Sequence, residues 1–116
     1  MRVIEGIVSD RGSRYAAAGG EARDRADVEA LLTALRRIKR FAKATHLSWG
    51  AVFAGGETAK GDDGEAGAGA IIVSELQAAG AEDTVVVVAR WYGGKHLGGD
   101  RFRHVRTCAR AWLDQR

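Results

Sequence analysis

A run of β-branched residues, Val85-Val86-Val87-Val88, gives way within a few residues to a glycine-rich segment, Gly93-Gly94-Lys95-His96-Leu97-Gly98-Gly99. No other stretch of this chain limits its fold as strongly. Unbroken valines belong in a buried strand, and glycines mark where backbone bends sharply or something comes close. The chain therefore leaves its core at Ala89-Arg90-Trp91-Tyr92 and reaches the surface in the loop. The valines predict a central strand covered on at least one face. A final helix starts near Asp100, where Phe102, Val105, Ala109, Trp112 and Leu113 form an apolar stripe.

The rest of the chain supplies partners for this strand. Val3 to Val8 reads as a strand, and Asp10-Arg11-Gly12-Ser13 as a turn. A second strand over Arg14 to Ala18 pairs back as a hairpin and ends at Gly19-Gly20. Val28, Leu31, Leu32, Leu35, Ile38 and Ala42 recur at helical spacing, with Asp24 or Asp27 as the cap. His46 to Ala54 reads as a third strand carrying Leu47, Trp49, Ala51 and Phe53 on one face. Gly55 to Gly64 reads as a polar loop. Ala66 to Ala79 reads as a helix with Ile72, Leu76 and Ala79 inward, closed by Gly80. The order β-β-α-β-α-β-α predicts an α/β (α+β) two-layer sandwich, a four-stranded mixed sheet with helices packed on it. At 116 residues this is one domain.

Composition narrows the function only by exclusion. A net charge of +3 permits an acidic partner or nucleic acid without demanding one. The single cysteine, Cys108, rules out an internal disulfide, and its place beside the last helix's stripe predicts a packed thiol. No apolar run approaches the ~20 residues of a membrane span. The N-terminus has no secretory apolar segment, so a cytoplasmic domain is expected.

Four constellations bear on chemistry. Asp62, Asp63 and Glu65 offer oxygen ligands, but no EF-hand spacing surrounds them. Their place before a helix is equally served by capping and dipole complementarity. The Gly93 to Gly99 loop precedes a helix and so resembles a phosphate cradle, yet no Gly-Lys-Ser/Thr follows. A tight strand-to-helix turn accounts for its glycines. His46, His96 and His104 sit at no ligand spacing, and no serine stands in a nucleophile elbow. Finally, Arg90, Trp91, Tyr92, Lys95, Arg101, Arg103, Arg106 and Arg110 mix cations with aromatics, a composition suited to stacking bases or anchoring a protein. Arg101 and Arg103 lie off the apolar stripe and are expected to face solvent. No catalytic residue, metal or cofactor is expected.

These motifs together resemble the Impact family. The resemblance rests on Asp62-Asp63-Gly64-Glu65 followed about thirty residues later by Arg90-Trp91-Tyr92-Gly93-Gly94. Ser9-Asp10-Arg11-Gly12-Ser13, Ala44-Thr45-His46, the valine strand and Leu97-Gly98 also match, so it covers nearly the whole chain. The tail from Asp100 to Arg110 is similar to the eukaryotic branch. The resemblance implies a fold like domain 2 of ribosomal protein S5, with a left-handed crossover. It further implies a role in translational control. Eukaryotic members bind the ribosome-associated co-activator of the amino-acid-starvation kinase, which phosphorylates the alpha subunit of initiation factor 2; actin binding is a second family property. Those members usually carry an RWD domain ahead of the Impact domain, whereas residues 1–116 read as a single Impact-type domain. The implied partner surface comprises Asp62, Asp63, Glu65, Arg90, Trp91, Tyr92, Lys95, His96 and Arg101. An RNA- or ribosome-binding module is the alternative, and a metal-dependent enzyme using Asp62, Asp63, Glu65 and a histidine is the third.

Overall fold

The computed structural model describes Met1–Arg116. The chain opens with a hairpin, β1 (Arg2–Asp10) and β2 (Ser13–Glu21). Arg11 and Gly12 form its two-residue turn at φ 47° and 88°. Positive φ at both positions matches the right-handed twist of the strands it joins. The pairing of β1 with β2 shifts register between Ile4 and Val8, where Gly6 stands at φ 68°. The chain continues through α1 (Arg25–Arg36), α2 (Lys39–Ala42), β3 (His46–Val52), β4 (Thr58–Gly61), α3 (Ala68–Ala78), β5 (Thr84–Trp91) and α4 (Asp100–Asp114). The sheet order is β1-β2-β5-β3-β4. The valine strand β5 is thus central, as its composition required.

Both faces of β5 are sealed. Val86 and Val88 meet Ile72 and Leu76 of α3 and Val105, Cys108 and Trp112 of α4. Val85, Val87 and Ala89 meet Val28, Leu31, Leu32 and Leu35 of α1 and Phe41 of α2. The sheet with α3 and α4 makes the two expected layers, and α1 with α2 adds cover on the opposite face. Cys108 is packed inside, where burial pushes its thiol up to about 12. No helix is long and apolar enough to cross a membrane.

Four local expectations are corrected. The sheet has five strands rather than four, and every pair is antiparallel rather than mixed. The additional strand, β4, lies inside the segment read as a polar loop. Its Thr-Ala-Lys-Gly sequence contains one apolar residue, Ala59, too little for a periodic signal. Tertiary contact creates it: the Trp49 indole lies so close over Gly61 that a side chain there would overlap it. The long first helix breaks at Ile38, which adopts extended backbone (ψ 119°) and is 40% exposed. Gly19 and Gly20 continue β2 instead of ending it, in register with Val86 and Val85 of β5; Gly19 leaves room for Trp112, whose indole would lie 2.8 Å from a Cβ there. Ala79 is exposed at the C-cap of α3 and not inward.

Candidate functional site

The two motifs that carried the family resemblance meet in space. Arg90 Nη1 donates to Glu65 Oε1 at 2.8 Å, with side chains only 8% and 2% exposed. Arg90 is the last buried residue of β5, and Glu65 sits in the turn that leads into α3. A desolvated pair of this kind joins the sheet centre to a surface loop.

The acidic loop is fastened on every side. Asp62 Oδ1 accepts from Gly69 N at 2.8 Å, and Asp62 Oδ2 from Gly67 N at 3.1 Å. Those two amides hold its carboxyl below the usual carboxylate range. Asp62 thereby caps the start of α3 through its side chain. Asp63, at φ 50°, turns back on β3, and its Oδ2 accepts from Leu47 N at 2.6 Å. Ser48 Oγ donates to the Asp62 carbonyl at 2.8 Å. His46 Nδ1 lies 2.7 Å from the Asp63 carbonyl, which can only accept, so Nδ1 carries the proton. His46 Nε2 then faces Glu65 Oε2 at 3.5 Å and carries a hydrogen toward it only as imidazolium.

On its far side Arg90 reaches the hairpin. Arg90 Nη2 lies 3.5 Å from Ser13 Oγ, which also accepts from Gly93 N at 3.2 Å. Gly93 rests directly on the backbone of Gly12 and Ser13, with no room for a side chain. The guanidinium stands 5.6 Å from the Tyr15 ring and 5.7 Å from the Tyr92 ring. Tyr15 is fully buried, and burial pushes its phenol up to about 12. Thr45 Oγ1 accepts from Tyr92 N at 2.9 Å, completing the frame under the glycine loop.

What this frame presents is a short exposed tip. Tyr92 is 44% exposed and its ring centroid lies 5.9 Å from that of His96. Lys95 and His96 are exposed, and Leu97 returns the loop to the core. Trp91 is half-buried: it packs on Phe41, donates from Nε1 to the Arg40 carbonyl at 3.2 Å, and lies under the Arg40 guanidinium. Arg101 does not face solvent freely as its position off the stripe suggested. It is half-buried, with its guanidinium 4.6 Å from the Phe102 ring. Of the nine residues singled out from the sequence, Glu65 and Arg90 are interior, Asp62, Trp91 and Arg101 are half-buried, and Asp63, Tyr92, Lys95 and His96 are exposed. Sequence reasoning assigned no role to Ser13, Tyr15, Thr45 or His46. The signal was present, since Ser13 and Thr45-His46 lie in segments that carried the resemblance.

A second polar junction ties the hairpin to α4. Asp10 Oδ2 lies 2.7 Å from His104 Nε2, Arg11 bridges Asp10 and Asp100, and His104 packs edge-on against Tyr15. The Arg11 guanidinium, and after it His104, lower the Asp10 carboxyl from 3.8 to about 2. A depressed folded value means that this contribution is complete above about pH 4 and is lost as pH falls towards 2. An Asp10→Asn variant should therefore unfold with a weaker acid dependence than the native chain between those pH values, measured by urea titration at each pH. Parallel curves would remove Asp10 from the acid response.

No three His, Cys, Asp or Glu side chains converge in an arrangement able to hold a metal ion. Fold and site together define a small α+β domain that displays a braced loop. Residues 11–113 match the family model described as Impact N-terminal domain, and the chain belongs to the Impact family. It is 33% identical over 114 residues to the Protein IMPACT homolog of Caenorhabditis elegans, covering 92% of this chain and 44% of that protein. It is 32% identical over 108 residues to the Protein IMPACT homolog of Saccharomyces cerevisiae, covering 89% of this chain and 42% of that protein. The chain thus spans less than half the length of these two relatives. Among solved structures, a hypothetical protein superposes with a TM-score of 0.75 at 22% identity, covering 97% of this chain and 55% of that one, a likeness of fold alone. The two-domain translational regulator Yih1 superposes with a TM-score of 0.56 at 30% identity, covering 97% of this chain and 44% of that one.

Proposed function

We propose that this domain is a non-catalytic regulator of translation that acts in the cytoplasm by binding a protein. The partner is the ribosome-associated co-activator of the amino-acid-starvation kinase, and occupying it limits kinase activation. Family membership and the likeness to the translational regulator Yih1 support the regulatory role. The observation that carries the binding mode is the exposed Tyr92 at the end of the central strand, held from beneath by the Arg90–Glu65 pair. An aromatic ring on a braced loop makes an efficient anchor, because little freedom is lost when a partner docks. Asp63, Tyr92, Lys95 and His96 make direct contact in this reading. Asp62, Glu65, Arg90, Trp91 and Arg101 hold the loop in place.

The test is a pull-down with the co-activator's binding segment as bait. The native domain should be retained. Tyr92→Ala should weaken retention about tenfold, equivalent to roughly 1.4 kcal/mol, while changing folding stability by less than about 0.5 kcal/mol, as an exposed side chain should. Failure of the native domain to bind would sink the direct form of this reading. Actin belongs in the same assay as a second bait.

A further inference from the structure

The corner formed by α1 and α2 carries charge that the rest of the molecule does not neutralise. From Ala30 to Gly56 the chain has no carboxylate, yet it holds Arg36, Arg37, Lys39, Arg40 and Lys43. All five are exposed. Only Arg40 meets a carboxylate, Glu5 at 2.8 Å. On α4, by contrast, Arg106 and Arg110 share Glu75, and Arg103 meets Asp100. Cations at the end of α1 complement its dipole, but α2 is a single turn of four residues and gives Lys39 and Arg40 no comparable reason. Helix electrostatics alone therefore does not account for the cluster.

The cluster also adjoins aromatic rings. The Arg40 guanidinium lies 4.4 Å from the Trp91 ring, and Lys43 stands two residues from Thr45, whose hydroxyl holds the Tyr92 amide. Arg14, exposed on β2, is paired in register with Trp91 and lines a groove with Arg40 and Glu5. We infer that the α1–α2 corner is a docking surface for single-stranded RNA, with Arg36, Arg37, Lys39 and Lys43 on phosphates and Tyr92 stacked on a base. The Tyr92 ring itself faces Arg90 and His96, one residue along the chain from Trp91, so the cations and an exposed ring lie on adjoining segments, as a strand of alternating phosphate and base requires.

The experiment is fluorescence anisotropy of a labelled oligouridylate with the whole chain across a potassium chloride series. Four phosphate contacts on a single strand predict affinity falling on the order of 50-fold between about 50 and about 200 mM salt. Neutralising all four cations to Gln should cost at least about tenfold at low salt and flatten the dependence. Lys39→Gln and Lys43→Gln singly, which disturb the fold least, should each reduce the slope by about 0.7. Arg103→Gln on α4 should change neither. No binding by the native chain, or equal binding by the neutralised variants, overturns the inference. So does polyglutamate displacing the RNA at equal charge, which would assign the corner to an acidic protein. Tyr92 is shared with the protein surface proposed above, so Lys39 and Lys43 separate the two: their variants should still be retained by the co-activator segment.

Discussion

Replacing Arg90 with Ala should destabilise the domain by about 3–5 kcal/mol, the cost of removing one partner from a buried ion pair. Glu65, 2% exposed in the native chain, would keep only the His46 imidazole at 3.5 Å, which is positive only when protonated. A charge stranded in that position must be desolvated without compensation or take up a proton. Against a total stability of about 5–15 kcal/mol, the loss is large. Glu65→Gln with Arg90→Met removes both charges and retains much of the volume. That double variant should be less destabilised than the sum of its single changes, because no charge is left without its opposite. Urea unfolding of the native chain, Glu65→Gln, Arg90→Met and the double variant completes the cycle, with Arg90→Ala measured beside them. A loss under about 1 kcal/mol for Arg90→Ala would mean that the pair is not a structural tie.

Gly93→Ala should be comparably damaging for a different reason. A Cβ at this position would overlap the carbonyl of Gly12 and the amide of Ser13. Both are backbone, so no rotamer change relieves the clash. Overpacking costs typically about 1–3 kcal/mol, and a backbone-on-backbone overlap belongs at or above the top of that range. The hairpin and the glycine loop would have to separate, breaking the bond from Gly93 N to Ser13 Oγ. Gly94 supplies the comparison. It stands at φ 93° with open space around it, so Gly94→Ala carries only left-handed strain, about 1–2 kcal/mol. Chemical denaturation should place Gly93→Ala clearly below Gly94→Ala in stability. The reverse order would show that the close approach is not a constraint.

These two variants mark where reading the sequence succeeds and where it stops. The core was legible because it rests on local patterns: Val85–Val88 as a central strand, the stripe of α4, and Asp24 capping α1 through its bond from Asp27 N. Strand β4 was not legible, because the reason for Gly61 is the indole of Trp49 twelve residues earlier. The break at Ile38 was hidden because an exposed isoleucine keeps the helical spacing while leaving the core. At the site, residue types and spacing identified both motifs without revealing that they touch. Glu65 and Arg90 are 25 residues apart, and their meeting depends on β3 lying between β5 and β4. The glycines of the loop could be read as a turn or as a phosphate cradle, and only Gly12 lying beneath Gly93 explains why a side chain is forbidden there.

An open five-stranded sheet leaves two rows of backbone donors and acceptors without partners, an invitation to polymerise edge to edge. This chain withdraws it at both ends. On β1 the register shift between Ile4 and Val8, with Gly6 at φ 68°, bends the strand so that a second copy finds no straight ladder to extend. On β4 the strand is four residues long and places Lys60 in its middle. The irregularity at Gly6 thus denies a second copy a regular edge to pair with.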